Sequence, residues 1–171
     1  MLFLDIDGPL IPFGPPPAEY PEGHPTYGPS FEPTGTANPL VARIDPRHGP
    51  RLAALACELV WATTWMADAN AIVAPRLGLP ELPVMDWPET TDGGTWDRVH
   101  WKTRGLVGRA AGRPFVWVDD EITDADRAWV SAHHPGQALL HRVDPRRGLT
   151  DQDYAQMRAW LRPEPGAAPA R

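Results

Sequence analysis

The sequence predicts an α/β protein, a Rossmann-like three-layer sandwich with a mainly parallel five-stranded sheet. Short apolar segments alternate along the chain with segments of helical periodicity, and this alternation is typical of a parallel sheet. The 171 residues are enough for one domain with a hydrophobic core and too few for two. Apolar residues make up 42% of the chain and there are eight tryptophans, as expected of a globular protein.

Five apolar segments are predicted to be strands, near residues 2–6, 58–63, 82–86, 114–119 and 137–142. Five further segments are predicted to be helices, at about 48–57, 66–77, 100–111, 122–133 and 150–161. We expect the strand order 3-2-1-4-5, with the first strand in the middle of the sheet.

Residues 9–50 interrupt this alternation, because twelve of the 22 prolines fall there. So many prolines disfavour a helical cap, and we expect a partly ordered flap that covers part of a pocket and contributes to substrate choice. The prediction is therefore a single domain over 1–161, with the insertion 9–50 and no substantial cap domain, followed by a flexible tail at 162–171. The sequence DPRxG recurs at 45–49 and 144–148, but it is too short to count as a structural repeat.

Charge and cysteine content restrict the partners and the compartment. The net charge of −6 argues against a broad nucleic-acid-binding surface or an anionic membrane as partner, although a local basic pocket stays open. No segment approaches the length of a membrane span, and Asp5 and Asp7 interrupt the apolar start that a signal peptide needs. Cys57 is the single cysteine, so we expect a reducing cytoplasm.

The opening residues MLFLDIDG place two carboxylates, Asp5 and Asp7, directly after a short apolar strand. In an extended chain both side chains project the same way, and at the carboxyl end of a parallel strand they face the ligand crevice. A bound cation would compensate their charge. The alternative is a strand-ending turn, with Gly8 providing the turn conformation.

Two further segments, LVWATTW and VHWKTRG, carry groups suited to an anion. Thr63 and Thr64 follow an apolar strand and offer hydroxyls and backbone N–H groups, although plain helix capping by Thr64 explains them too. Lys102 stands at the start of a predicted helix, where the dipole disfavours a cation unless an anion is bound nearby. Arg98 or Arg104 could substitute for it.

A second acidic pair occurs in FVWVDDEITDAD, where Asp119 and Asp120 end an apolar strand and Asp124 follows four residues later. Carboxylates at a helix N-terminus are favourable in themselves, which is the alternative explanation. The order acidic pair, threonine, lysine, acidic pair, each at a strand exit or the next helix, argues against four coincidences.

These ordered motifs, DIDG, WATTW, Lys102 and WVDDE, resemble the haloacid dehalogenase-like (HAD) superfamily, in a small actinobacterial-type branch. The resemblance covers roughly residues 1–142 and implies a Mg²⁺-dependent phosphatase acting on a phosphomonoester, possibly a nucleotide or a polynucleotide end. It implies that Asp5 is the nucleophile that forms an aspartyl-phosphate and that Asp7 is the general acid and base.

The resemblance also implies roles for the remaining residues. Mg²⁺ would be held by Asp5, Asp120 and the Asp7 carbonyl, with Thr63 bound to a phosphoryl oxygen and Lys102 offsetting its charge. Three supporting residues are predicted: Asp119 as an orienting carboxylate, Asp124 near Lys102 or a metal-bound water, and Thr64 beside the phosphate.

Two interpretations stay open at the level of sequence. One is the phosphatase; the other is a non-catalytic or regulatory HAD-like module that keeps a metal site and binds a partner through the proline-rich flap. The presence of both Asp7 and Lys102 favours the enzyme. Trp61 and Trp65 suit either core packing or stacking on a nucleobase, with packing preferred.

Overall fold

The structure is a computed structural model, and it describes residues 1–27, 38–87 and 99–162. The elements within those ranges are, in chain order, strand β1 (Leu2–Leu4), a 3-10 helix (Pro39–Arg43), α1 (His48–Ala53), β2 (Leu59–Trp61), a π-helix (Ala69–Val73), α2 (Ala74–Leu77), α3 (Thr103–Ala110), β3 (Phe115–Asp119), α4 (Asp124–His133), β4 (Ala138–Arg142) and α5 (Asp151–Leu161).

The sheet has four parallel strands in the order β2-β1-β3-β4, and β1 lies in its interior as predicted. The predicted strand near 82–86 forms only an isolated parallel bridge from Val84 to Trp61. The predicted fifth strand and the order 3-2-1-4-5 are therefore not confirmed in the described residues, although this bridge lies on the side of β2 away from β1. Pro80 and Pro83 explain the short pairing, since proline has no N–H to donate to a ladder.

The strands alternate their side chains between two apolar layers. Leu2 and Leu4 face a cluster that contains side chains of α1, α2 and α5, while Phe3 faces a second cluster built with α3 and α4. Helices therefore cover both faces of the sheet, which is the arrangement of a three-layer sandwich. None of the described helices is long and apolar enough to cross a membrane.

The described part of the proline-rich insertion packs against the domain near its start. Leu10 and Ile11 are fully buried, and backbone bonds tie Phe13 to Pro145 and Leu149 to Pro9. This part is therefore anchored between the end of β1 and the loop before α5. Residues 28–37 of the insertion, and all of the predicted tail except Arg162, lie outside the described residues.

Helix boundaries differ from the expected ones by up to four residues. Helix α1 ends at Ala53 rather than near 57, and the π-helix after β2 begins at Ala69 rather than near 66, because residues 64–67 form turns. By contrast α4 and α5 begin within two residues of the prediction, each with a threonine N-cap and an aspartate at the third position that bond reciprocally.

Candidate active site

The acidic pairs after β1 and β3 converge on one cavity of about 160 Å³ at the carboxyl ends of these strands. Parallel strands bring their carboxyl ends to the same edge of the sheet, so residues far apart in sequence meet there. The cavity is lined by Asp5, Asp7, Phe13, Thr64, Trp101, Lys102, Asp120 and Glu121.

Lys102 links the two acidic pairs. Its Nζ lies 2.7 Å from Asp5 Oδ2 and 2.8 Å from Asp119 Oδ2, and its side chain is almost fully buried. Of the 16 basic residues of the chain it is the only lysine. The two candidate substitutes do not take this position in the described residues: Arg104 is exposed and lies over the Trp129 ring, and Arg98 lies outside them.

Asp119 is fixed from several directions. Its Oδ2 accepts a hydrogen bond from Trp117 Nε1 at 3.1 Å as well as from Lys102, and its Oδ1 accepts one from the backbone N–H of Glu121 at 2.9 Å. A fully buried carboxylate with such partners is held in one orientation. The predicted orienting role of Asp119 is consistent with this geometry.

Asp120 approaches the chain after β1 at a glycine. Gly8 has φ of +84°, and a Cβ on it would lie only 2.5 Å from Asp120 Oδ1. Glycine is required there both by the left-handed backbone and by the close approach. The two explanations of the DIDG motif, a turn at Gly8 and a ligand site at Asp5 and Asp7, are therefore compatible. The turn that needs a glycine also brings Asp120 next to this acidic pair.

The cluster holds more negative than positive charge. Burial, opposed by Lys102 and reinforced by Asp119, raises the pKa of Asp5 to about 7. Burial, together with Asp119, raises the pKa of Asp120 to about 6. Burial acts to lower the pKa of Lys102, but Asp5 and Asp119 outweigh it and raise that pKa, so its ammonium stays charged. One ammonium does not balance three carboxylates.

The donor set fits a hard divalent cation. Asp5, Asp119 and Asp120 each offer a carboxylate oxygen, and these oxygens all lie within 4.8 Å of one another. Oxygen donors in this number suit Mg²⁺, and a cation there would favour the charged carboxylates that burial disfavours. Asp119 was predicted only as a supporting residue, so the structure adds it to the candidate ligands.

Asp7 receives a hydrogen bond that the sequence motifs did not indicate. Trp65 Nε1 donates to Asp7 Oδ2 at 2.9 Å, and the Trp65 ring packs partly against the core. Trp61, in contrast, is fully buried with its Nε1 donating to Asn70, so its ring is not available to a nucleobase. One of the two tryptophans is thus core, and the other holds a site carboxylate.

The two threonines of WATTW differ in their exposure. Thr63, predicted to hold the phosphate, is fully buried, and its hydroxyl accepts a 3.4 Å bond from the Trp65 backbone N–H. Thr64, predicted as its support, is exposed and lines the cavity. Since the residues that follow form turns and no helix begins there, Thr64 does not cap a helix.

Asp124 is not brought to Lys102. It is exposed on the first turn of α4, where its Oδ1 lies 3.8 Å from Arg127 Nε, and the carboxylates beside Lys102 are Asp5 and Asp119. Three residues separate Asp120 from Asp124, and at the start of α4 the Asp124 side chain is exposed to solvent. The supporting role of Asp124 stays a prediction.

Asp126, which sequence reasoning missed, anchors the segment that carries Lys102. Its Oδ1 accepts hydrogen bonds of 2.6 Å from both the His100 backbone N–H and the Thr103 hydroxyl, and its Oδ2 bonds the N-cap Thr123. It is completely buried. The capping box TDAD was visible in the sequence, but its bonds to the start of α3 depend on the folded arrangement.

One of three comparisons with known proteins gives a match. A model of the HAD domain in Swiss Army Knife RNA repair proteins matches residues 1–154, which include every candidate site residue. A comparison with curated proteins and one with solved structures found no match. A match over so much of the chain identifies the family, and the protein therefore belongs to the HAD domains of the Swiss Army Knife RNA repair type.

Proposed function

We propose that the protein is a divalent-metal-dependent phosphatase that removes a terminal phosphomonoester from a nucleic-acid strand through an aspartyl-phosphate on Asp5. The observation that carries the proposal is the Lys102 ammonium bound between Asp5 and Asp119, with Asp120 within reach of the same point. A phosphoryl group beside Asp5 would lie against this cation, whose charge suits the extra negative charge of the reaction.

The chain's own residues account for both halves of the reaction. A carboxylate oxygen of Asp5 attacks phosphorus, and the bond to the leaving oxygen breaks as Asp7 donates a proton to it. Asp7 then takes a proton from water, which attacks phosphorus and releases Asp5 and inorganic phosphate. Trp65 holds one Asp7 oxygen throughout. Mg²⁺ held by Asp5, Asp119, Asp120 and the Asp7 carbonyl would supply the charge that lets carboxylate and phosphate approach.

Thr64 is the better candidate to contact the phosphoryl oxygens. Its side chain lines the cavity, whereas the Thr63 hydroxyl is buried and accepts a bond from Trp65. We assign Thr63 to the support of the turn and Thr64 to the phosphate. Comparing Thr63→Val with Thr64→Val by KM would distinguish these assignments.

The size of the cavity supports a large substrate reached at its end. About 160 Å³ is below the range of roughly 300–1,000 Å³ that is typical of pockets enclosing a whole small molecule. The phosphate would enter while the rest of the substrate lies outside. Because the family is described from RNA repair proteins, an RNA end is the favoured substrate.

The test compares Asp5→Asn with the matched exposed variant Asp68→Asn in a phosphatase screen with Mg²⁺. We expect terminally phosphorylated oligonucleotides to be hydrolysed, Asp5→Asn to lose at least about a thousandfold in kcat, and Asp68→Asn to lose nothing. Beryllium fluoride with Mg²⁺ should mimic the phosphoryl group on Asp5 and raise the Tm of the wild type but not of Asp5→Asn. If no phosphomonoester is hydrolysed and the Tm does not move, the non-catalytic module is the better account.

A further inference from the structure

A second cavity, of about 380 Å³, lies beside the proline-rich insertion. We call it the arginine cavity. Its charged lining consists of Arg43, Arg47, Arg51 and Arg147 with Glu19, Asp45 and Asp151.

The arginine cavity is positive in a chain that is negative. Four arginines line it against three carboxylates, whereas the whole chain carries a net charge of −6. Burial lowers the pKa of His48 to about 4, so His48 adds no charge near neutral pH. This is the kind of local basic pocket that the overall charge left open.

The two DPRxG segments form matching turns that bound this region. Asp45 Oδ1 accepts hydrogen bonds from Arg47 N and Arg47 Nε at 2.9 and 3.0 Å. Asp144 Oδ1 accepts the equivalent bonds from Arg146 N and Nε at 3.0 and 3.1 Å. The repeat therefore has a structural counterpart, contrary to expectation. Arg47 lines the cavity from the first turn and Arg147 from the second.

The two arginines differ in how firmly their carboxylate partners hold them. Arg147 is 45% exposed and paired with Glu19, itself 52% exposed, so a phosphodiester could replace Glu19 at small cost. Arg47 is 76% exposed but is bonded to Asp45, whose side chain is only 12% exposed, so Arg47 would contact a phosphate while it keeps Asp45. Guanidinium groups also bind phosphate in a bidentate way.

Aromatic rings stand next to the arginines. Tyr20 and Tyr27 line the same cavity, and Arg47 lies over the Tyr27 ring at 5.9 Å from its centroid. Alternating cations and aromatic rings are typical of surfaces that bind single-stranded nucleic acid, with phosphates on the cations and bases on the rings.

The arginine cavity shares a wall with the cavity that Asp5, Asp7 and Asp120 line, which we call the catalytic cavity. Pro12 lines the first and its neighbour Phe13 lines the second. Gly148 packs closely against this wall, since a Cβ added to it would lie 3.0 Å from Pro12 Cγ and from the Pro9 carbonyl oxygen. A nucleic-acid strand that leaves the catalytic cavity over this wall would enter the arginine cavity.

We propose that the arginine cavity binds the sugar-phosphate backbone of a single-stranded nucleic acid whose phosphorylated end occupies the catalytic cavity. The inference rests on the proposed function for the end of the strand, but the binding itself does not require turnover. The ligand is recognised by phosphodiester charge and by base stacking, so its sequence matters little.

The test removes two charges and measures binding apart from activity. The Arg47→Gln/Arg147→Gln double variant is compared with Arg76→Gln/Arg109→Gln, which removes two exposed arginines of α2 and α3 outside the cavity. The probe is a labelled oligoribonucleotide without a terminal phosphate, followed by fluorescence anisotropy over a range of salt concentrations. We expect about tenfold weaker binding for the first variant, and a log–log salt slope shallower by about 1.4, since each phosphate contact contributes about 0.7. The control should bind like the wild type.

Kinetics distinguish this inference from the proposed function. The first variant should raise KM for a terminally phosphorylated oligonucleotide while kcat/KM for an aryl phosphate stays unchanged. Equal anisotropy curves and salt slopes in both variants would overturn the inference, even if the phosphatase activity is real. Binding that depends on the two arginines in a protein without any phosphatase activity would leave the inference intact and overturn the function. If the double variant does not fold, Arg147→Gln alone, which removes the ion pairs with the exposed Glu19 and with Asp144, should give about half of the slope change.

Discussion

The catalytic cavity and the arginine cavity lie on either side of residues 12–13, yet they are built in opposite ways. The catalytic cavity is made of nearly buried charges at the ends of β1 and β3, held by Lys102 at 2.7–2.8 Å. The arginine cavity is lined mostly by half-buried side chains, together with exposed charges such as Arg47 and Arg147. A buried charge cluster tolerates little movement, whereas exposed pairs rearrange at small cost.

This contrast predicts which property of the protein a substitution in each cavity should change. In the catalytic cavity, a change of one atom at a close contact should alter chemistry. In the arginine cavity, single changes should alter affinity or stability and leave chemistry intact. The following predictions test this contrast, from the largest expected effect to the smallest.

Gly8→Ala should be the most damaging of these changes to the catalytic cavity. The new Cβ would lie 2.5 Å from Asp120 Oδ1, so Asp120 must move away from Asp5. We expect kcat to fall by about a hundredfold, and the Mg²⁺ concentration for half-maximal activity to rise by about tenfold, as when an oriented ligand is lost. Steady-state kinetics under Mg²⁺ titration measures both.

Gly78→Ala is the matched control for the backbone. Gly78 ends α2 with φ of +63°, and nothing lies within 4 Å of the Cβ it would gain. Both variants carry the strain of a left-handed alanine, about 1 kcal/mol, but only one disturbs Asp120. Equal Mg²⁺ dependence in the two variants would show that strain, and not the contact with Asp120, limits the site.

Much of the catalytic cavity could be predicted from the sequence because parallel strands align their carboxyl ends. An acidic pair after each of two adjacent strands had to meet once β1 and β3 paired, whatever the loops did. Asp124 does not share this edge because helix phase, not strand register, decides where it points. The segment near 82–86 makes only one bridge to β2, because Pro83 limits its pairing.

The arginine cavity could not be predicted, because its parts meet only through long-range packing. Arg147 and Glu19 are paired although 128 residues separate them, and no periodic pattern marks either. The DPRxG repeat was visible, but its matching turns depend on local hydrogen bonds that composition does not reveal. The bond of Trp65 to Asp7 was hidden for the same reason, since it joins two different loops.

Trp65→Phe should have an intermediate effect. It keeps most of the ring packing and removes the N–H that holds Asp7 Oδ2. We expect kcat to fall by about tenfold for a nucleoside or sugar phosphate, whose leaving oxygen needs a proton, and by much less for an activated aryl phosphate. Rates measured across leaving groups of different pKa test this.

A double-mutant cycle with Asp7→Asn distinguishes positioning from packing. If Trp65 acts through the Asp7 carboxylate, Trp65→Phe should change the rate little once Asp7 is already replaced. An undiminished loss in the Asp7→Asn background, with the same size for every leaving group, would show that the indole N–H does not serve the acid and base.

His48→Gln should alter stability only, and only in acid. His48 lines the arginine cavity, its Nδ1 lies 3.0 Å from the Tyr154 hydroxyl, and Asp45, Arg51 and Arg47 surround it. Burial lowers the pKa of His48 to about 4 from its usual 6.5. Between these values the unfolded chain binds a proton that the folded chain does not, so the free energy of unfolding falls as the pH falls from about 6.5 to 4.

Urea unfolding at pH 7 and at pH 4.5 measures this loss in the wild type and in His48→Gln. Protonation of the unfolded chain at His48 should cost the wild type about 2 kcal/mol at pH 4.5, since a tenfold difference in proton affinity is about 1.4 kcal/mol. Glutamine can still form a hydrogen bond with Tyr154 but does not titrate. The free energy of unfolding of His48→Gln should therefore fall by about 2 kcal/mol less on acidification than that of the wild type. Carboxylate titrations elsewhere contribute equally to both proteins. At neutral pH kcat should be the same for both. If the free energy of unfolding depends on pH in the same way in both proteins, His48 is protonated in the folded state at little cost. The wall of the arginine cavity near α1 would then be more open to water than the burial of His48 implies.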